Sequence, residues 1–247
     1  MTRFKALCSY DGTDYCGWQS QVSGEGMQDY LERRLAVILG QPVRIHGSGR
    51  TDAGVHAEGQ VFHFDGEWAY GPETLLRALR VGFPKTLQVI SVEEVGEDFH
   101  ARYSVTGKCY RYNLFLGQAS PFEVRYWWSL GKCRLDVGAM QTAAQSLLGT
   151  HDFSAFGASR GKGAEPDNPV KDLRRLDVVQ VGPRLTITTE ASGYLYKMVR
   201  GLVGTLVEVG RGKLSPEAVH AILLSRQRSP LTPSAPAHGL TLVKVDY

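Results

Sequence analysis

Residues 27–40 read MQDYLERRLAVILG, and Met27, Leu31, Leu35, Ile38 and Leu39 fall at helical spacing. Gly40-Gln41-Pro42 stops that helix. Upstream, RFKALCSYDG (3–12) reads as a strand closed by an Asp-Gly turn. Downstream, VRIHGS (43–48) reads as a short strand. GQVFHFD (59–65) follows as another, with Val61 and His63 on one face and Phe62 and Phe64 on the other. PETLLRAL (72–79) opens a helix on Pro72 and carries Leu75, Leu76 and Leu79, and LQVISVEEV (87–95) is a strand. The order around the first helix is therefore β-α-β-β-α-β, the ferredoxin-like unit.

The second half repeats that order with one helix added. GKCYRYNLFLG (107–117) is a strand with Tyr110, Tyr112, Leu114 and Leu116 on one face, and LDVGAMQTAAQSLLG (135–149) is a helix. VKDLRRLDVVQVG (170–182) and RLTITTEA (184–191) form a hairpin around Gly182-Pro183. YLYKMVRGLVGTLVEVG (194–210) reads as a long apolar helix, SPEAVHAILLS (215–225) as another, and GLTLVKVDY (239–247) as the last strand. No motif recurs between the halves, so the repeat is one of structure. The expected fold is α+β, with ferredoxin-like halves at 1–104 and 105–247. Their strands would join into one extended mixed or antiparallel sheet, with helices on one face and an active-site cleft on the other.

Composition narrows the function class. The chain has 247 residues, 43% hydrophobic and 21% charged, which excludes disordered, collagenous and coiled-coil classes. No apolar run approaches the roughly 20 residues that span a bilayer. The N-terminus turns polar after Leu7 and Cys8, too early for a secretion signal. A cytoplasmic protein without a membrane partner is expected. The net charge of +3 neither demands nor excludes a polyanionic partner, because a basic cleft can sit on a nearly neutral chain. Cys8, Cys16, Cys109 and Cys133 form no CxxC pair and the histidines no HxxxH or HExxH spacing, so no metal site is expected.

The densest chemical signal is GSGRTDAGVHA (47–57), where three glycines surround Arg50 and Asp52. Glycines let a ligand approach the backbone, and a short strand feeding such a loop is a common place for a catalytic side chain. A dinucleotide fingerprint would need glycine where Asp52 stands, and no GK[ST] follows for a phosphate loop. Asp52 is the candidate nucleophile or base, with Arg50 to hold it ionised; the alternative is a turn cap beside a solvated arginine. Tyr110, on the inward face of its strand, reads by itself as a core tyrosine rather than a catalytic one, its polar end needing a partner. Lys197 and Arg200 lie near the start of the apolar helix, where a buried arginine would need a carboxylate such as Asp52. SRGKGAEPDNP (159–169) fits no element and reads as a long loop, with Arg160 and Lys162 attractive to phosphate. A nucleic-acid path would draw on Arg50, Arg111, Arg160, Lys162, Lys171, Lys197 and Arg211.

Seven segments together resemble the A-type tRNA pseudouridine synthases. They are YDGTDYCGWQSQ (10–21), MQDYLERRL (27–35), GRTDAGVHAEGQVFHF (49–64), FHARYSVTGKCYRY (99–112), THDFSAF (150–156), YKMVRGLVGTLVEVG (196–210) and APAHGLTLVKVDY (235–247). The stretch GASRGKGAEPDNPVKDL (157–173) looks longer and more basic than the family's pattern. The resemblance implies a cofactor-free isomerisation of uridine to pseudouridine at positions 38, 39 and 40 of the tRNA anticodon stem-loop, carried out by a homodimer. It implies that Asp52 is the essential carboxylate and Tyr110 the active-site tyrosine. Arg200 is then the basic partner of the aspartate, Leu240 the apolar residue at the base pocket, and Arg50 the arginine associated with flipping the nucleotide. Two other readings remain open. One is a non-catalytic RNA-binding module of the same strand order, although GKCYRYNLF lacks the RNP1 pattern. The other is a base-releasing hydrolase, which would yield free uracil.

Overall fold

The computed structural model describes residues 1–159 and 168–247. The chain divides into two compact units, Met1–Thr106 with Thr241–Tyr247, and Gly107–Leu240. Among the described residues it is an α+β protein of mostly antiparallel strands and five α-helices. None of those helices is long and apolar enough to cross a membrane.

The first unit runs β1 (Thr2–Tyr10), α1 (Met27–Leu39), β2 (His46–Gly47), β3 (His56–Gly66), α2 (Pro72–Leu79) and β4 (Leu87–Val95). Its strands lie in the order β4-β1-β3, antiparallel throughout. Alternation along β1 buries Phe4, Ala6, Cys8 and Tyr10 together with Met27, Leu31 and Leu35 of α1 and Leu75 and Leu79 of α2. Phe4 stacks on Phe64 at 5.4 Å between centroids. Helix α1 begins at Gly26, whose N–H donates to the Asp29 carboxylate at 2.9 Å, and ends at Gly40 in the left-handed region, φ 71°. The β1–β3 pairing slips by one residue between Cys8 and Tyr10, which oppose Gln60 and Ala57. The β1–β4 pairing slips between Leu7 and Cys8. In both slips the extra residue belongs to the partner, β3 or β4, so the strands that bend are those flanking the Tyr10 end of β1.

The second unit runs β5 (Gly107–Phe115), β6 (Trp128–Ser129), α3 (Val137–Gln145), β7 (Gly149–Asp152), β8 (Val170–Val181), β9 (Arg184–Ala191), α4 (Met198–Gly210) and α5 (Pro216–Ser225). Its strands lie in the order β5-β9-β8-β7, antiparallel, with β6 parallel to β5. Helix α3 packs on α4, α5 and β8. The last strand, β10 (Leu240–Asp246), crosses the division. Leu240 belongs to the second unit, while Thr241 and Leu242 pair in parallel with His56 and Ala57 of β3.

Four local expectations need correction. The helix read from Tyr194 starts at Met198, because Lys197 takes left-handed dihedrals (φ 59°, ψ 9°) and the Tyr194 hydroxyl is bonded back to β9. The helix read over 135–149 spans only Val137–Gln145, and the strand read over 43–48 only His46–Gly47. Around Ile45 the backbone is satisfied by α1 side chains instead: its N–H donates to Glu32 Oε1 at 3.0 Å and its carbonyl accepts from Gln28 Nε2 at 3.3 Å. Strands β6 and β7, two and four residues long, are too short to show an alternation and went unread.

Candidate active site

Asp52 lies in the connection from β2 to β3, partly exposed, with Arg50 exposed beside it. The backbone on both sides of Asp52 is tied down. The Thr51 carbonyl accepts the Trp18 N–H at 3.1 Å, and the Asp52 carbonyl accepts the Val55 N–H at 3.1 Å, closing a turn. The buried Thr51 Oγ1 lies 2.8 Å from the Tyr10 hydroxyl. At the far end of the loop His56 Nδ1 accepts the Gly12 N–H at 3.1 Å, with Asp11 Oδ1 also 3.1 Å away.

These contacts need two backbones to touch. A Cβ on Gly12 would overlap the Val55 carbonyl, and one on Gly17, which stands at φ 85°, would come within 2.6 Å of the Thr51 oxygen. The segment Tyr10–Trp18 therefore serves as a floor for the Asp52 loop. Trp18 fills the space below it, tilted against Tyr10 at 6.1 Å and Phe62 at 6.2 Å. Gln60 closes the near side, accepting from Ser48 Oγ at 2.6 Å and donating to the Gly49 carbonyl at 3.0 Å. The result is a carboxylate on a fixed loop, a form suited to acting as base or nucleophile or to stabilising developing positive charge.

The second unit holds the other residues expected from the sequence. Tyr110 stands in β5 opposite Thr189 of β9, with little surface exposed. Its ring meets Tyr194 edge-on at 5.1 Å, and the Tyr194 hydroxyl lies 3.0 Å from Thr189 Oγ1. Burial pushes the Tyr194 phenol well above its ordinary pKa, so it remains a neutral support. Arg200 sits in the first turn of α4. Its Nε donates to the Ala235 carbonyl at 2.7 Å, and its own carbonyl accepts the Ala235 N–H at 2.9 Å. Tyr112, fully buried, donates its hydroxyl to the Pro236 carbonyl at 2.8 Å. Its ring lies so close to Gly239 that a Cβ there would stand 2.6 Å away. Arg200 and Tyr112 thus fix the turn that delivers the buried Leu240.

The basic residues of the expected nucleic-acid path lie on several elements. Arg111 stands in β5 opposite Thr188 and Lys171 in β8, both half-buried. Lys197 precedes α4 with its Nζ over the Tyr196 ring, 5.1 Å from the centroid. Arg211 follows the other end of α4, about 20 Å from Lys197 along the helix axis, and pairs with Glu208 at 2.8 Å. Arg160 and Lys162 lie outside the described residues. Among the described residues no group of His, Cys, Asp and Glu could hold a metal ion.

Sequence reading singled out Asp52, Arg50, Tyr110, Arg200 and Leu240. It missed Tyr10, Thr51, Trp18, Tyr112 and Tyr194, which hold those residues in place. Apart from Tyr112, which shares a strand face with Tyr110, their only signal was membership of the quoted segments 10–21 and 49–64 or closeness to the one beginning at 196.

A family profile described as tRNA pseudouridine synthase matches residues 6–104 and 143–247. The chain is 42% identical over 249 aligned residues to tRNA pseudouridine synthase A of Methylobacterium sp. (strain 4-46), covering 100% of this chain and 98% of that one. It is 43% identical to the protein of the same name from Bradyrhizobium sp. (strain BTAi1), with 100% of both chains covered. It is 40% identical to that of Exiguobacterium sibiricum, covering 100% of this chain and 97% of the relative. With more than half of its length matched by the profile, and relatives of this identity spanning both chains almost completely, the chain belongs to the tRNA pseudouridine synthase A family.

Proposed function

We propose that Asp52 is the catalytic carboxylate of this enzyme. By family the chain is a pseudouridine synthase, an isomerase of uridine in the anticodon stem-loop of tRNA. In that reaction the bond from C1′ to uracil N1 breaks, the detached base turns, and C5 bonds to C1′; C5 gives up its proton and N1 gains one. Breaking a glycosidic bond builds oxocarbenium-like charge on the sugar, which a nearby carboxylate stabilises. The observation that carries the assignment is the anchoring of the Asp52 loop, whose carbonyls at Thr51 and Asp52 are both hydrogen-bonded.

In the same reading Tyr110 contacts the detached uracil, Arg200 supplies the positive partner of the aspartate, and Leu240 bounds the base pocket. Arg50 assists in turning the nucleotide out of its stack. The two halves are ferredoxin-like, their strands continue one sheet, and its open face forms the cleft. The targets are uridines 38, 39 and 40. The working form is a cytoplasmic homodimer that meets tRNA phosphates through Arg111, Arg160, Lys162, Lys171, Lys197 and Arg211.

The test is Asp52→Asn, nearly isosteric but unable to act as nucleophile or base. Unmodified tRNA is incubated with each protein, and pseudouridine is mapped by carbodiimide labelling. The expected outcome is complete loss of product with tRNA affinity within about twofold of wild type. Wild-type turnover by the Asn variant would remove Asp52 from the chemistry.

A further inference from the structure

We propose that Tyr10 is a positioning residue for the isomerisation, acting through Thr51 to aim the Asp52 carboxylate. The proposal rests on the assignment of Asp52 as the catalytic carboxylate and names the residues that set its geometry.

Tyr10 is the last residue of β1, at the strand end where pairing has slipped against both neighbours. Its ring is buried on Trp18, and its hydroxyl lies 2.8 Å from Thr51 Oγ1, away from bulk water. Thr51 is the residue immediately before Asp52. Its carbonyl accepts the Trp18 N–H at 3.1 Å, so the peptide that leads into Asp52 is tied at the backbone. The hydroxyl pair holds the same residue through its side chain. A β-branched side chain has few χ1 positions, so fixing Oγ1 fixes the Thr51 Cα–Cβ direction and with it the peptide that leads into Asp52.

The pair is more than packing. A phenylalanine would fill the same space on Trp18, yet this buried position carries a phenol directed at a hydroxyl. Catalytic groups displaced by about 1 Å lose up to about a hundredfold in rate. A hydrogen bond one residue from the carboxylate is therefore placed to act on turnover while leaving tRNA binding alone.

The experiment measures kcat, KM and thermal midpoint for Tyr10→Phe, Thr51→Val, the double variant, Thr51→Ser and Asp52→Asn. The expected result is a fall of about tenfold in kcat for Tyr10→Phe and for Thr51→Val, with KM for tRNA unchanged. The double variant should be no slower than either single one, because both remove the same bond. Thr51→Ser, which restores a hydroxyl, should recover most of the turnover lost in Thr51→Val. If both single variants fold, turn over at the wild-type rate and lose only thermal stability, the pair is structural and the proposal fails. If the two effects multiply, the residues act separately and the proposal also fails. Asp52→Asn separates the two assignments. An inactive Asn variant beside an unimpaired Tyr10→Phe overturns positioning alone, whereas an active Asn variant overturns both.

Discussion

Lys197 stands at φ 59°, ψ 9° immediately before α4, a left-handed conformation that costs a non-glycine residue about 1–2 kcal/mol. Its Nζ lies over the Tyr196 ring, a contact any truncation removes. The informative comparison is therefore Lys197→Gly against Lys197→Ala, since both lose the ammonium and only glycine relaxes the backbone. The glycine variant should be the more stable by about 1 kcal/mol, read from urea unfolding midpoints. Strain of this kind is kept where the surrounding structure insists on it, and here it sits three residues before Arg200. Single residues were unevenly legible in the sequence. Asp52 stood out because glycines isolate it. Tyr10 and Thr51 did not, because a hydroxyl pair between residues 41 positions apart leaves no local pattern. Arg200 stands near the start of an apolar helix, where the sequence suggests a carboxylate partner. It is half-buried, with its Nε spent on the Ala235 carbonyl, a partner that no periodicity announces.

The elements with strong periodicity were legible almost residue for residue. Helix α1 ends on the glycine that the sequence offers, and the β8–β9 hairpin turns at Gly182-Pro183, with Val181 opposite Arg184. What failed were short strands, the first turn of α4 and both ends of the helix read over 135–149, where tertiary partners outvote local preference. Helix α4 also shows what its small residues are for. A Cβ on Gly204 would overlap the Pro233 carbonyl, and one on Gly201 the Phe156 carbonyl, so backbone lies directly against the helix at both points. Alanine is the better helix former by about 1 kcal/mol, but overpacking against backbone costs about 1–3 kcal/mol. Gly204→Ala is thus expected to lower the thermal midpoint by several degrees, against the direction helix propensity alone would give. Because Pro233 precedes the Ala235 carbonyl that holds Arg200, the same substitution should depress kcat; calorimetry and turnover on one preparation check both.

On the scale of the whole molecule, a group of three histidines gives stability a pH dependence. His46, His63 and His100 meet in the first unit, with centroids 5.0 Å apart for His46–His63 and 4.6 Å for His63–His100. Burial, then the neighbouring His100 and His46, push the His63 pKa down to about 4, and Arg3 adds to this while Asp65 opposes it. His100 is shifted down as well, first by its own burial. Groups depressed in the folded state contribute stability that is complete above their unfolded value of about 6.5 and lost as pH falls toward the folded value. Between pH 7 and 5 His63 should account for at most about 2 kcal/mol of lost stability. Its Nδ1 accepts the Ala101 N–H at 3.1 Å, a bond that protonation there would break. His63→Asn, whose side-chain oxygen can take over that acceptor role, should show a flatter midpoint between pH 7 and 5. An unchanged slope would place the effect elsewhere.

The path of β10 bears on the order in which the protein is made. Thr241 and Leu242 complete the first unit beside β3, the Thr106 N–H donates to the Asp246 carbonyl at 2.9 Å, and the Tyr247 hydroxyl donates to the Ala101 carbonyl at 2.8 Å. Residues 107–240, the whole of the second unit, are synthesised before any of these partners exist. On the ribosome the earlier half therefore waits with one edge of β3 and the carbonyl of Ala101 unsatisfied while the later half emerges. At about 5–20 residues per second, that wait lasts roughly 7 to 27 seconds. The half that carries Asp52 is begun first and finished last, so a nascent chain stalled anywhere in its second half holds the aspartate loop in an unfinished sheet.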